Sequence, residues 1–342
     1  MRSKKITFLM IMLLTGAGLE TQQIANAQSI HSASIPVHDI LLGAAASPAM
    51  GMGNGNLLID PTQTGHVAKI KLAQGANAFQ IALVGNIAYV PTLQGTTYIV
   101  DWKTHQITSQ FTSPKGARIS ALSAANHLLL IAGGKNLTAY AFPSHKVTWQ
   151  DSIGGNALSI VGNHAYLSSN TSNSTTEFNV KNGHVLSKIP VGGIEDSVID
   201  PQTHTLWLAN WKNGDMTVLD TQNNHVLKVI KESEGGGFSM NNMMNSTGGF
   251  MQLAVDPKGK AVYAASFSGN IMVYNAQKIS FEKNIPIDIS MAKLSGIAID
   301  PSDQYAYTTV ENKKETVRVS LQTGKIVSTY ANVESNRWNV IP

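Results

Sequence analysis

Two adjacent carboxylates, Glu195 and Asp196, and two arginines remote from them, Arg118 and Arg337, are the residues of this chain best suited to chemistry on a polar ligand. A carboxylate can act as general base or hold a divalent ion, and a guanidinium stabilises anionic charge as it develops. Methionines form a second set. Met50 and Met52 lie in one Gly/Ala-rich stretch, Met240, Met243 and Met244 stand with Phe238 in another, and Met251 follows directly. Thioethers favour Cu(I), and they also give adaptable apolar contact to a partner. The spacing Met240-x-x-Met243-Met244 brings two or three sulfurs toward one ion, although without His or Cys the affinity would be modest. Trp211-Lys212, Gln252 and Arg337-Trp338 add polar and aromatic contact groups, and the two Trp pairs are the only hints of single-strand nucleic-acid binding.

Other chemistries lack their residues. Neither His-x-His, His-Glu-x-x-His nor Gly-x-Ser-x-Gly occurs, so zinc and serine-hydrolase templates have no footing. Gly51-Met-Gly-Asn-Gly55 lacks the strand–helix context of a phosphate loop. Of ten histidines, five read His66-Val67, His105-Gln106-Ile107, His145-Lys146-Val147, His184-Val185 and His225-Val226, and His127, His164 and His204 recur elsewhere. Their periodic placement marks them as turn residues of a repeat rather than ligands.

That periodicity identifies the elements that must position everything else. The five His phrases are spaced 39, 40, 39 and 41 residues apart. A period near 40 with four short strands per period is the mark of a β-propeller, because one four-stranded blade cannot bury its own faces. In the second unit, strand A is expected near Phe79–Leu83, B at Ile87–Val90, C at Thr97–Val100 and D at Gln106–Phe111. An aromatic recurs at the third B position in Tyr89, Tyr166, Trp207, Tyr263 and Tyr307, where packing between blades wants a large flat side chain. Six full units fit between about Gly75 and Tyr330. The remainders, Asn336–Ile341 at one end and Val37–Leu42, Asn56–Ile59 and Val67–Lys71 at the other, complete a seventh blade that closes the ring. The expected fold is all-β, a seven-bladed propeller with four-stranded blades.

These repeats resemble the YVTN-type propeller repeats. Asp200-Pro201, Asp256-Pro257 and Asp300-Pro301 stand where such repeats end strand A, and Tyr89-Val90 and Trp207-Leu-Ala-Asn210 stand at the B position. The resemblance implies relatives that include lactonase-like and lyase-like enzymes, quinoprotein subunits and binding propellers, so it does not select an activity.

Sorting residues by turn type separates two faces. The D–A and B–C connections share the top face, and the A–B and C–D turns share the bottom. Early A-strand positions then place Asn77, Arg118, Asn156, Glu195, Asp196, Gln252, Ser295 and Arg337 at the channel mouth, with Glu311 and Trp211-Lys212 in neighbouring B–C loops. Alternation along a strand predicts that Glu195 and Asp196 point to opposite faces. Lys231–Gly249, longer than its counterparts by about fifteen residues, is a top-face insertion rich in Gly, Asn and Met.

Residues 1–27 read as a secretory signal, with Arg2, Lys4 and Lys5, an apolar run from Ile6, and Ala25-Asn26-Ala27 before the cleavage point. Residues 28–36 form a lead-in and 37–342 the propeller. Absence of cysteine favours a bacterial periplasm or cell surface over a eukaryotic secreted setting. Net charge is +4, and loss of the signal's three cations and one anion lowers it to +2, too little to argue for nucleic acid or an anionic membrane. Charged residues are only 13%, a surface suited to acidic conditions. The function expected is a monomeric exported propeller that binds a protein or small polar ligand at its top face without covalent chemistry. The ligand contacts would be Met240, Met243, Met244, Met251, Phe238, Trp211, Lys212 and Gln252. The alternatives are a lactonase- or lyase-like enzyme that uses Glu195, Asp196, Arg118 and Arg337 with a divalent ion, and Cu(I) binding through Met50, Met52, Met240, Met243 and Met244.

Overall fold

The computed structural model describes residues 40–45, 56–59, 67–73, 75–211, 214–231 and 250–341. They form seven antiparallel four-stranded sheets. Six are sequential. Their inner strands, A, are Ala82–Val84, Ile119–Ser123, Ala157–Val161, Ile194–Asp200, Phe250–Val255 and Leu294–Ile299, which begin blades 2 to 7. Blade 1 takes strand A, Trp338–Ile341, from the C-terminal end and its other three strands from Ile40–Ala44, Asn56–Ile59 and Ala68–Lys71. In the closing register Ile40 faces Ile341 and Gly43 faces Trp338. Gly43 is needed there, because a Cβ would lie 2.6 Å from both the Trp338 ring and Ser335 Oγ.

Seven hydrophobic clusters lie among the described residues, and each joins two consecutive blades. A blade flattened against both neighbours has no core of its own, so stability resides in these interfaces. The recurrent aromatics Tyr89, Tyr166, Trp207, Tyr263 and Tyr307 are all buried in or beside them, as the sequence pattern requires. Joining the last blade to the first, Leu41, Ala298, Tyr307, Val333 and Trp338 make the cluster that locks the ring.

Strand A of blade 2 is shorter than expected, Ala82–Val84 with a separate bridge from Ala78 to Thr92. The intervening backbone serves the next blade instead: the Gln80 N–H donates to the Arg118 carbonyl at 3.1 Å.

On the bottom face the Asp-Pro turns are self-contained. Asp256 Oδ1 accepts the N–H groups of Lys258 (2.8 Å) and Lys260 (2.9 Å), and Asp300 Oδ1 accepts those of Gln304 (2.8 Å) and Tyr305 (2.7 Å). These are turn-building carboxylates. The histidines do not share one structural position, as their spacing had suggested. His105 and His145 occupy the left-handed residue that closes the C–D turn, at φ 59° and 55°, whereas His184 and His225 follow that residue, which is Gly183 or Asn224. The same left-handed place in blade 6 is held by Ile279, a costly choice for a β-branched side chain.

Candidate functional site

The innermost strand of every blade has one backbone edge with no fifth strand to pair with, so its N–H and C=O groups need other partners. Side chains from the start of a neighbouring inner strand supply them. Asn156 Nδ2 donates to the Glu195 carbonyl at 2.9 Å and to that of Ile194 at 3.3 Å. Asp196 Oδ2 accepts the Leu253 N–H at 2.7 Å. Gln252 Oε1 accepts the N–H groups of Ile297 (2.8 Å) and Trp338 (3.0 Å), while its Nε2 donates to the Trp338 carbonyl at 3.1 Å. These bonds link blades 4, 5, 6, 7 and 1 in turn around the channel.

Bulges aim the side chains. The A–B register slips between Ile194 and Asp196, between Phe250 and Gln252, and between Leu294 and Ile297. An extra residue breaks strict alternation. Glu195 is that residue in blade 5; its carboxylate meets Asn156 and Asn170 of blade 4, whereas that of Asp196 meets the Leu253 N–H of blade 6. Both carboxylates are buried, and both feel the Arg337 guanidinium.

Arg337 is the electrostatic centre. It is buried at the start of the closing strand, donates from Nη1 to the Asn336 carbonyl at 3.0 Å, and brings Nη2 to 3.8 Å from Asp196 Oδ1. That separation makes an ion pair rather than a hydrogen bond. Asp196 belongs to blade 5 and Arg337 to blade 1, so the pair spans blades 6 and 7. Burial pushes Asp196 above its ordinary value, opposed by Arg337 and the Leu253 N–H. Burial likewise raises Glu195, against the pull of Arg337, a 2.8 Å hydrogen bond from Asn170 Nδ2 to Oε2, and the more distant Arg118. Arg118 itself is exposed and lies over the Phe79 ring at 5.2 Å.

Glu311 completes the mouth from the B–C connection of blade 7, where it begins a single 3-10 turn, Glu311–Lys313. Burial first, and the neighbouring Glu334 second, push its carboxyl up to about 7, against Ser295, Lys293 and Arg337. Burial raises Glu334 too.

The sequence-expected residues thus divide. Glu195, Asp196 and Arg337 converge with Arg118 on one edge. Gln252 stands at the mouth, but its amide is spent on backbone groups. Met251 is the half-buried bulge residue beside it. Trp211 is half-buried, 6.4 Å from Phe267 and nearly perpendicular to it. Lys212, Phe238, Met240, Met243, Met244, Met50 and Met52 lie outside the described residues, as do the signal segment and the glycine-rich stretch Gly51–Gly55. Sequence reasoning did not single out Asn170, Lys293 or Glu334, although all three fall in the top-face connections by the same turn sorting. Among the described residues no group of three or more His, Asp or Glu side chains is arranged to hold a metal ion.

No family model matches this chain, and no curated protein matches it. Among solved structures it is similar to hydrazine synthase of Kuenenia stuttgartiensis, at 14% identity and a TM-score of 0.63, over 76% of this chain and 88% of that one. At that identity the likeness is one of propeller fold.

Proposed function

We infer that this chain is an exported propeller whose top face is a non-catalytic binding module, with a small polar ligand seated at the channel mouth. One observation carries the reading: Glu195, Asp196, Arg337 and Glu311, drawn from three blades, are gathered at one end of the channel in a frame already fixed by Asn156, Asn170 and Gln252. A preorganised polar cluster on a rigid ring suits recognition, since little ordering entropy remains to be lost on binding. Strand D of blade 5 ends at Ile230 and strand A of blade 6 begins at Phe250. Export rests on the signal pattern of residues 1–27, and cleavage after Ala27 is checked by mass spectrometry of the secreted product.

The test is thermal unfolding of the purified protein against small cations, anions and neutral polyols. A ligand that binds the native state raises the midpoint by mass action. A selective rise, lost when Arg337 is replaced by Ala, supports the reading, and a flat response to every class contradicts it.

Glu311 favours a second reading. A half-buried carboxyl that titrates near neutrality is poised to take a proton, so a lactonase- or lyase-like enzyme would use Glu311 as base rather than Glu195 or Asp196. Turnover of a sugar lactone that disappears in Glu311→Gln would decide for it.

A further inference from the structure

Away from the channel mouth, blade 3 carries an open cleft of about 1040 Å³ on the same top face. Lys115 enters it from the connection between blades 2 and 3, and Lys135 and Asn136 from the B–C turn of blade 3. Gln150 and Ser152 enter at the end of that blade's outer strand, Lys146–Asp151.

Close backbone packing fixes these walls. A Cβ on Gly133 would lie 2.7 Å from the Lys115 carbonyl oxygen, and one on Gly154 would lie 2.4 Å from the Lys135 nitrogen. The Gly133 N–H closes the turn on the Asn136 carbonyl at 2.8 Å, and the Gly133 carbonyl accepts the Gly155 N–H at 3.0 Å. Three connections therefore meet backbone to backbone, and both lysines rise from rigid stems beside one cleft.

The polar side chains here are unspent, unlike those of Asn156, Asp196 and Gln252 at the mouth. Among the described residues, the side chains of Lys115, Lys135, Asn136, Gln150 and Ser152 make no hydrogen bond or ion pair. Asp151 is engaged: its Oδ1 accepts the Ile153 N–H at 2.8 Å and shapes the turn into blade 4. Two unpaired cations thus share the cleft with one carboxylate that already has a backbone partner, in a chain whose charged residues are only 13%. No large apolar side chain lines the cleft, so neither an acyl chain nor an apolar peptide anchor finds burial there.

We propose that this cleft binds an anionic oligosaccharide, a short run of uronic-acid residues. Its carboxylates meet Lys115 and Lys135, and its hydroxyls meet Asn136, Gln150 and Ser152. Ammonium groups only donate, which suits carboxylates, whereas side-chain amides and hydroxyls both donate and accept, as sugar hydroxyls do. The volume stands at the upper end of the roughly 300–1,000 Å³ typical of ligand clefts, more than a bare inorganic anion fills. This is a second site, and it does not depend on the reading of the mouth. Both lysines are exposed, so their contribution is modest and screened by salt.

The experiment is titration calorimetry of the intact protein with trigalacturonate, maltotriose and tripolyphosphate, at low and at tenfold higher ionic strength. The expected result is that trigalacturonate binds, and binds several-fold more weakly in the higher salt. Maltotriose has the hydroxyls without the charge and tripolyphosphate the charge without the hydroxyls, so each should bind at least about tenfold more weakly. Lys115→Gln and Lys135→Gln should each weaken trigalacturonate by about threefold, and the double variant by about tenfold. Unfolding midpoints show that the variants keep the ring. Equal binding of maltotriose overturns the anion assignment, and equal or tighter binding of tripolyphosphate overturns the saccharide. No binding of trigalacturonate, or the same affinity in the folded double variant, overturns the site. Loss of binding in folded Arg337→Ala but not in the double lysine variant moves the ligand to the mouth and overturns the cleft.

Discussion

Gln252 is the side chain whose removal tests the architecture of the mouth most sharply. Its amide ties blade 6 to blades 7 and 1 through the Ile297 N–H, the Trp338 N–H and the Trp338 carbonyl. Ile297 and Trp338 are both buried, so truncation leaves three backbone groups short of partners away from bulk water. A buried group left unsatisfied costs about 1–3 kcal/mol, and partial access for water through the channel favours the lower end, giving about 3 kcal/mol in total. For a ring of roughly 300 residues the entropy of unfolding is about 0.6 kcal/mol per kelvin, so the midpoint should fall by about 5 °C. The assay is thermal unfolding followed by circular dichroism on Gln252→Ala and Gln252→Met. Methionine keeps the volume and loses the bonds, so similar losses in both variants locate the effect in hydrogen bonding. A fall below about 1 °C in both would refute the argument that this amide closes the inner edge.

Three further outcomes follow from the same geometry. Glu311 carries a raised pKa in the folded protein, so the native state holds more protons than the unfolded one between its ordinary value and about 7, and the stability it contributes is lost as pH rises through that window. Glu311→Gln should accordingly flatten the decline of the midpoint from pH 5 to pH 8 and raise it at pH 8 by about 2 °C, allowing for solvent screening of a half-buried group; an unchanged pH profile would contradict the shift. His105 is exposed in a left-handed conformation, and His105→Gly should stabilise by about 1 kcal/mol in denaturant unfolding. His145 shares that backbone geometry but stacks on Phe111 at 4.9 Å and reaches the Tyr89 hydroxyl at 3.4 Å, so His145→Gly should give no gain or a net loss.

The fold was legible because a propeller repeats its constraints. Five of the seven B strands place a flat buried side chain at the third position, and each turn needs a residue that tolerates its dihedral, so the period is written many times over. What was illegible is what happens once. A bulge at Glu195 leaves no trace in residue type. The His phrases look equivalent along the chain, yet one residue of offset separates the left-handed turn closer from the residue that follows it. Glu311 was placed at the channel mouth by turn sorting, but its burial against Glu334, and hence its proton affinity, depends on a connection twenty-three residues further on. Gln252 was read as a ligand contact because polarity at a pore mouth looks the same whether it faces a ligand or a neighbouring strand.

The direction of the carboxyl shifts bears on the composition as well. Glu195, Asp196, Glu311 and Glu334 are all raised by burial, so each opposes folding as pH rises. A ring with these groups at its mouth and few charges on its surface is best stabilised on the acidic side of neutrality.

The central claim is that the channel mouth gathered around Arg337 is a ligand site. Thermal unfolding of the intact protein and of Arg337→Ala against small cations, anions and neutral polyols tests it most directly. The account predicts a selective rise of the midpoint in the intact protein that is lost in the variant. A flat response to every class, or the same rise in both folded proteins, would contradict it.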